Sequence, residues 1–285
     1  MPLIGLSSSY YAFRKFSVYD SVRRINELGF NTAELGAAHV FGDEIWAALK
    51  KIKKDFPETS FTVHGVFSPL KKNHWFNLSE GLTALNKKIF SDMFKAAEIV
   101  EAACVTVHPG YLSEAFFRHD ETGMDCAKEG KPIPKEKALE GINESVGFAS
   151  KLAKKTGVLF GMENVPLGIF RPAVYSPDDF NLLFKKFPKL GFLFDMGHAL
   201  SEARLEEMLS LNEKTIEMHV HYSRQKSEKI KLDEHDPLPS EESVAFMKKI
   251  PQIKKIPLIF EHSTNISERQ ILAEKALLEN FLKKL

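Results

Sequence analysis

GFLFDMGH, residues 191–198, carries Gly, Phe, Leu and Phe into Asp195 and places His198 three positions further on. A short, nearly continuous apolar run of this kind fits a strand covered on both faces, as in a parallel sheet, better than an alternating half-exposed strand. The pattern repeats outward. VLFGME from Val158 closes on Glu163, TIEMHVH from Thr215 on His219 and His221, and PLIFE from Pro257 on Glu261. Toward the N-terminus, FTVH from Phe61 closes on His64 and CVTVH from Cys104 on His108, while LIGLS from Leu3 and TAEL from Thr32 bring the strands to eight.

Segments with apolar residues three and four apart separate these runs: VRRINEL, EIWAALKKI, FSDMFKAAEIV, INESVGFASKLAKK, DDFNLLFKKF and EEMLSLN, with a final helix expected over about Ser267 to Lys284. Eight β/α units in one chain of 285 residues predict a single (β/α)8 TIM barrel spanning 1–285. A doubly wound sheet is the rival, but it gathers ligands at one switch point instead of from strands all round. The longest irregular stretch, about 109–137, follows the fourth strand and carries the breakers Gly123, Gly130, Pro132 and Pro134. It is expected to lie over the C-terminal mouth as a loop and candidate lid.

With 39 Lys and Arg against 38 Asp and Glu, no overall field argues for nucleic acid, and any such preference must be local. Cys104 reads as a small core residue and Cys126 falls in a polar loop, which gives no disulfide framework. No apolar stretch approaches the roughly 20 residues that span a bilayer, and no signal segment opens the chain, so a soluble, cytoplasmic protein is expected.

In a barrel of this type the strand C-termini surround the mouth, so histidines and carboxylates that close the strands converge there. Imidazole and carboxylate together are ligands of zinc and manganese. The expected metal ligands are His64, His108, Glu163, Asp195, His198, His219, Asp233, His235 and Glu261, with His221 as the alternative to His219 two residues away on the same face. Asp233 and His235, in LDEH, project together from an extended loop in this reading. His39, His74, His119 and His262 are read as structural or surface residues. Lys71, Lys72 and Arg224 lie in mouth-side loops where they could hold phosphate, and Phe67, Asn164 and Arg171 are further candidates for contact with substrate.

In order and spacing, VHG, VHPG, MEN, DMGH, HVH, DEH and FEH resemble the xylose-isomerase-like barrels that include endonuclease IV (AP endonuclease family 2) and many sugar isomerases and epimerases. Similarity to endonuclease IV implies nine ligands for three zinc ions. By that resemblance Glu163 bridges two ions, one held also by His64 and His108 and the other by Asp195, His219 and Glu261, while His198, Asp233 and His235 hold the third. It implies hydrolysis of DNA at abasic sites, with the ions activating water and neutralising phosphate charge. The segment VPLGIF after Asn164, Tyr222 after the strand-seven histidines and the glycine-free DEHDPLPSEES depart from that pattern, and Phe67 stands where an aromatic would enter the DNA stack.

The competing reading is a sugar or sugar-phosphate isomerase or epimerase. That resemblance implies one divalent ion, manganese, magnesium or zinc, on Glu163, Asp195, His219 and Glu261, with Glu163 and Glu261 as the acid/base pair. A third is a metal-binding barrel without catalysis. The complete ligand set places the hydrolase first.

Overall fold

The computed structural model describes residues 2–39, 44–67, 76–119, 125–168, 170–226 and 235–285, and for 115–119 and 125–129 the backbone alone. Its strands are β1 (Leu3–Ser7), β2 (Thr32–Leu35), β3 (Ser60–His64), β4 (Cys104–Val107), β5 (Ser113–His119), β6 (Asp125–Pro132), β7 (Leu159–Glu163), β8 (Leu190–Asp195), β9 (Thr215–Val220) and β10 (Pro257–Phe260). Eight of them close into a parallel barrel in the order β1-β2-β3-β4-β7-β8-β9-β10, and each of the eight expected runs is one of its staves. The fold is a (β/α)8 TIM barrel.

Helices Val18–Glu27, Ile45–Asp55, Ala84–Val100, Lys135–Thr156, Pro177–Lys186 and Glu268–Lys284 stand between or after the staves. Their starts are set by local chemistry. Ser17 and Thr83 accept backbone N–H bonds from Asp20 and Asn86, and Ser176 with Asp179 and Ser267 with Gln270 form reciprocal capping boxes. The outward strand residues Phe160 and Phe192 pack with Phe90, Phe94 and Phe180 of these helices in edge and tilted ring contacts, and Phe194 packs edge-on to Phe246.

Three local expectations change. The stretch 109–137 is not irregular: β5 and β6 form an antiparallel hairpin, and the next helix begins at Lys135. Gly130 and Pro132 lie inside β6 because a two-stranded ribbon leaves one edge unpaired, and the register shifts between Ser113 and Ala115. The residues after Asp195 form a short helix, Met196–Ser201, with Asp195 as its cap. EEMLSLN splits into a single turn, Leu205–Met208, and a 3-10 segment, Leu209–Lys214.

Inside the barrel the layer beneath the mouth is polar. Glu34, Thr62, Thr106 and Glu217 are fully buried there, where such barrels usually stack branched aliphatic side chains. A bulge helps to place them. The β8–β9 register shifts so that Phe192 pairs with Thr215 but Leu193 with Glu217, leaving Ile216 as the extra residue.

Candidate metal centre

Six strand ends deliver the donors. His64 ends β3, Glu163 ends β7, Asp195 ends β8 and His219 is the penultimate residue of β9, whereas His108 and Glu261 follow β4 and β10 by one residue. The contacts fall into groups. His64 Nε2 and His108 Nε2 lie 3.2 and 3.3 Å from Glu163 Oε2. His219 Nδ1 lies 3.2 Å from Glu261 Oε2, 3.5 Å from Asp195 Oδ2 and 3.9 Å from Glu163 Oε1. His198, His221 and His235 form a third group, with the His221 and His235 rings stacked at 3.9 Å and 4°.

A tetrahedral ion with bonds of 2.0–2.1 Å has edges of about 3.3 Å between its ligand atoms, near the 3.2–3.5 Å of the contacts in the first two groups, with Glu163 Oε1 farther from His219 Nδ1 at 3.9 Å. The electrostatics agree. Glu34, Glu163, Asp195 and Glu217 are fully buried and Glu261 is 24% exposed, a density of carboxylates that needs cationic compensation. Both carboxylate oxygens of Glu163 and Nδ1 of His219 are buried without a hydrogen bond of good geometry, although several donor atoms lie within reach. That is how ligand lone pairs aimed at a common centre would stand, so the residues fit a divalent ion.

The opposite ring nitrogens are held in the manner of metal-bound histidines. His64 Nδ1 lies 3.0 Å from Thr106 Oγ1, His108 Nδ1 3.1 Å from Tyr111 Oη, His219 Nε2 3.0 Å from Glu34 Oε2, His198 Nδ1 2.9 Å from the Asn164 carbonyl and His235 Nδ1 2.8 Å from the Glu261 carbonyl. His235 has φ +42°, so its backbone is left-handed where it enters the site.

Charge states follow from burial and neighbours. Burial works against ionised Glu163, and the His108 and His64 rings outweigh it, holding the carboxyl well below its usual range. Asp195 and Glu261 are lowered in the same way, against burial, by His198 and His221 and by His219 respectively. For His219, burial lowers and Glu34 and Glu261 raise, with a net shift well upward. Burial and the neighbouring Glu34 push Glu217 up to about 7.

Two candidates for substrate contact have protein neighbours instead. Phe67 is only 1% exposed and stands edge-on to His39, so it cannot enter a DNA stack without leaving the core. The Asn164 amide is spent on the Asp195 backbone, donating to its carbonyl and accepting from its N–H, both at 2.9 Å. Asn164 therefore clasps Asp195 and does not face the mouth with a free amide. Arg171 and Arg224 are exposed, whereas Lys71, Lys72, His74 and Asp233 lie outside the described residues. His262 turns away to Glu274 of the last helix at 2.8 Å, and His39 bonds Ser8 Oγ at 3.1 Å.

Glu34 and Glu217 were not among the expected site residues. Glu217 shares the strand face of His219 by simple alternation in TIEMHV, a signal present in the sequence. Glu34 has no such marker: it stands inside the run TAEL, and only barrel closure brings it to His219.

A closed parallel barrel whose mouth gathers histidines and carboxylates from its strand ends defines an α/β barrel with a candidate metal centre. The chain belongs to the xylose isomerase-like TIM barrel family, whose model matches residues 22–281. Two proteins of Methanocaldococcus jannaschii, both described as uncharacterized, are similar in sequence. MJ1614 is 22% identical over 58% of this chain, which spans 56% of that protein's length, and MJ1311 is 23% identical over 98% of this chain and 88% of its own. Among solved structures, a D-tagatose 3-epimerase-like protein superposes with TM-score 0.73 at 20% identity, covering 99% of this chain and 97% of its own. D-psicose 3-epimerase with D-tagatose from Clostridium cellulolyticum H10 gives 0.63 at 14%, with 99% of both chains covered. IolI protein with a bound zinc atom gives 0.69 at 11%, with 100% and 99% covered. At these identities the likeness is one of fold.

Proposed function

We propose that this protein is a divalent-metal-dependent isomerase or epimerase acting on a small sugar or sugar phosphate. The observation that carries the reading is the convergence of Glu163, Asp195, His219 and Glu261 from four consecutive staves, β7 to β10, on the His219 Nδ1 atom. Sugar epimerases among the similar folds support it. A divalent ion held by this quartet would polarise the carbonyl and hydroxyl oxygens of a sugar in this reading, or neutralise phosphate charge in the second reading below.

Glu163 and Glu261 approach the quartet from different staves, with His219 between them. One carboxylate takes the proton from the carbon beside the sugar carbonyl as the electron pair moves onto the carbonyl oxygen; the other, having taken up a proton from water, returns it to carbon as the electron pair moves back, and the first then releases its proton to water. Asn164 keeps Asp195 in place through its paired backbone bonds. The hairpin β5–β6, which follows the His108 stave, provides a candidate cover against water for a small substrate.

The test is deuterium incorporation from D2O at the carbon beside the carbonyl, using metal-loaded protein and a panel of ketoses and their phosphates. Glu163→Gln and Glu261→Gln are each expected to lower the exchange by about 10²–10⁴-fold. No exchange across the panel by the unaltered protein would sink the reading.

The endonuclease IV type of hydrolase remains a second reading because His64, His108, His198 and His235 exceed what a single-ion isomerase uses. The buried Phe67 removes one of its expected DNA contacts. It requires that His108→Ala abolish cleavage of abasic-site DNA with the fold intact. The isomerase reading instead expects that variant to retain proton exchange. Metal bound without turnover in either assay would favour the non-catalytic barrel.

A further inference from the structure

The polar layer beneath the metal centre contains two carboxylates that the proposed reaction does not use. We propose that Glu34 and Glu217 are positioning residues that set the ring orientation and tautomer of His219 and His64, and so decide which nitrogen each histidine offers to a divalent ion. The inference rests on the metal centre of the proposed function and concerns how that centre is held.

The hydrogen-bond directions carry the argument. Glu34 is fully buried, and an ionised carboxylate can only accept. Its Oε2 lies 3.0 Å from His219 Nε2, which keeps a proton on that nitrogen and makes Nδ1, toward Asp195 and Glu261, the one that would offer its lone pair to a divalent ion. On the neighbouring side the instruction passes through a hydroxyl. Toward Glu217 in its carboxylate form, Thr106 donates its one O–H, with Oε2 2.8 Å away. Its oxygen can then only accept from His64 Nδ1, 3.0 Å away, and this leaves His64 Nε2 with its lone pair toward Glu163 at 3.2 Å. The two histidines are thereby set in opposite senses, Nε2–H for His219 and Nδ1–H for His64.

Burial makes the arrangement consequential. The side chains of Glu34, His64, Thr106, Glu217 and His219 are at most 4% exposed, so water is not available to satisfy a ring nitrogen that loses its partner. Thr106 is the discriminating position, because valine conserves its shape while removing the hydroxyl. Serine restores the hydroxyl without the methyl.

The experiment is zinc affinity by competition with a chelator, with nitrogen-15 spectra of the histidine rings in zinc-loaded protein. Thr106→Val and Glu34→Gln are each expected to weaken zinc binding by roughly 10–100-fold, with Thr106→Ser close to the unaltered protein. The spectra are expected to show protonated Nε2 in His219 and protonated Nδ1 in His64. If Thr106→Val is folded and binds zinc within about threefold of the unaltered protein, the relay to His64 is overturned. The reverse protonation of either ring would overturn that histidine's assignment, even if Glu34→Gln failed to fold. An unaltered protein that binds no divalent ion would sink the proposed function along with this inference, whereas binding with unshifted variants sinks the inference alone.

Discussion

Gly197 lies against the His221 ring so closely that a Cβ there would overlap Cε1, Nδ1 and Nε2 of the imidazole. The glycine of DMGH therefore makes room for a histidine from the next stave. Gly197→Ala is expected to cost about 1–3 kcal/mol through overpacking and to disturb the His221–His235 stack. A thermal melt together with metal content would check it, and an unchanged melt would mean that the ring moves aside freely. His39 gives a separate prediction. Burial lowers its pKa from an ordinary 6.5 to about 4. As pH falls, the unfolded chain takes up this proton first, so His39 contributes stability that is present above pH 6.5 and lost as pH falls toward 4. The loss approaches about 3 kcal/mol. Denaturant melts across that window should show a flatter pH dependence for His39→Gln.

The β8–β9 bulge links strand geometry to the site. A Cβ on Gly191 would meet three atoms of Ile216, the extra residue of the bulge, at 2.6–2.7 Å. Because all three atoms belong to one branched side chain, a single rotamer change cannot clear them. Gly191→Ala is expected to destabilise by about 1–3 kcal/mol and to shift the register that carries Glu217 and His219. A lowered melt with reduced zinc affinity would support that coupling, and a lowered melt with unchanged affinity would limit Gly191 to packing. The strand runs and the long helices were legible because periodicity and caps are local properties. The hairpin β5–β6 was less so. Gly130 and Pro132 read as breakers, and their tolerance depends on which strand edge is left unpaired.

Across the molecule, the buried carboxylates are compensated by histidines drawn from distant parts of the chain, and a bound divalent ion would complete that balance. Removing divalent ions with a chelator is expected to lower the melting temperature, and restoring them should raise it, by about 2.7 kcal/mol of stability at 100 times the dissociation constant. Metal analysis on the same sample separates the readings. One ion per chain fits the isomerase or epimerase, and about three fit the endonuclease IV type. A melting temperature indifferent to chelator and metal would count against a metal centre of either kind. No helix among the described residues is long and apolar enough to cross a membrane.

The barrel followed from the order of apolar runs, because strands buried on both faces leave a continuous signature and eight of them admit few topologies. The donors at the strand ends followed from the same runs. Their grouping did not. His219 and His221 are equivalent in an alternating strand, and only closure of the barrel, with β10 beside β9 and β2 three staves away across the interior, places Glu261 and Glu34 at the two nitrogens of His219. Phe67 and Asn164 read as contacts for a substrate until packing sent one into the core and the other onto the Asp195 backbone. Burial and the partner of each ring nitrogen depend on residues far apart in the chain, so the tertiary structure decided them.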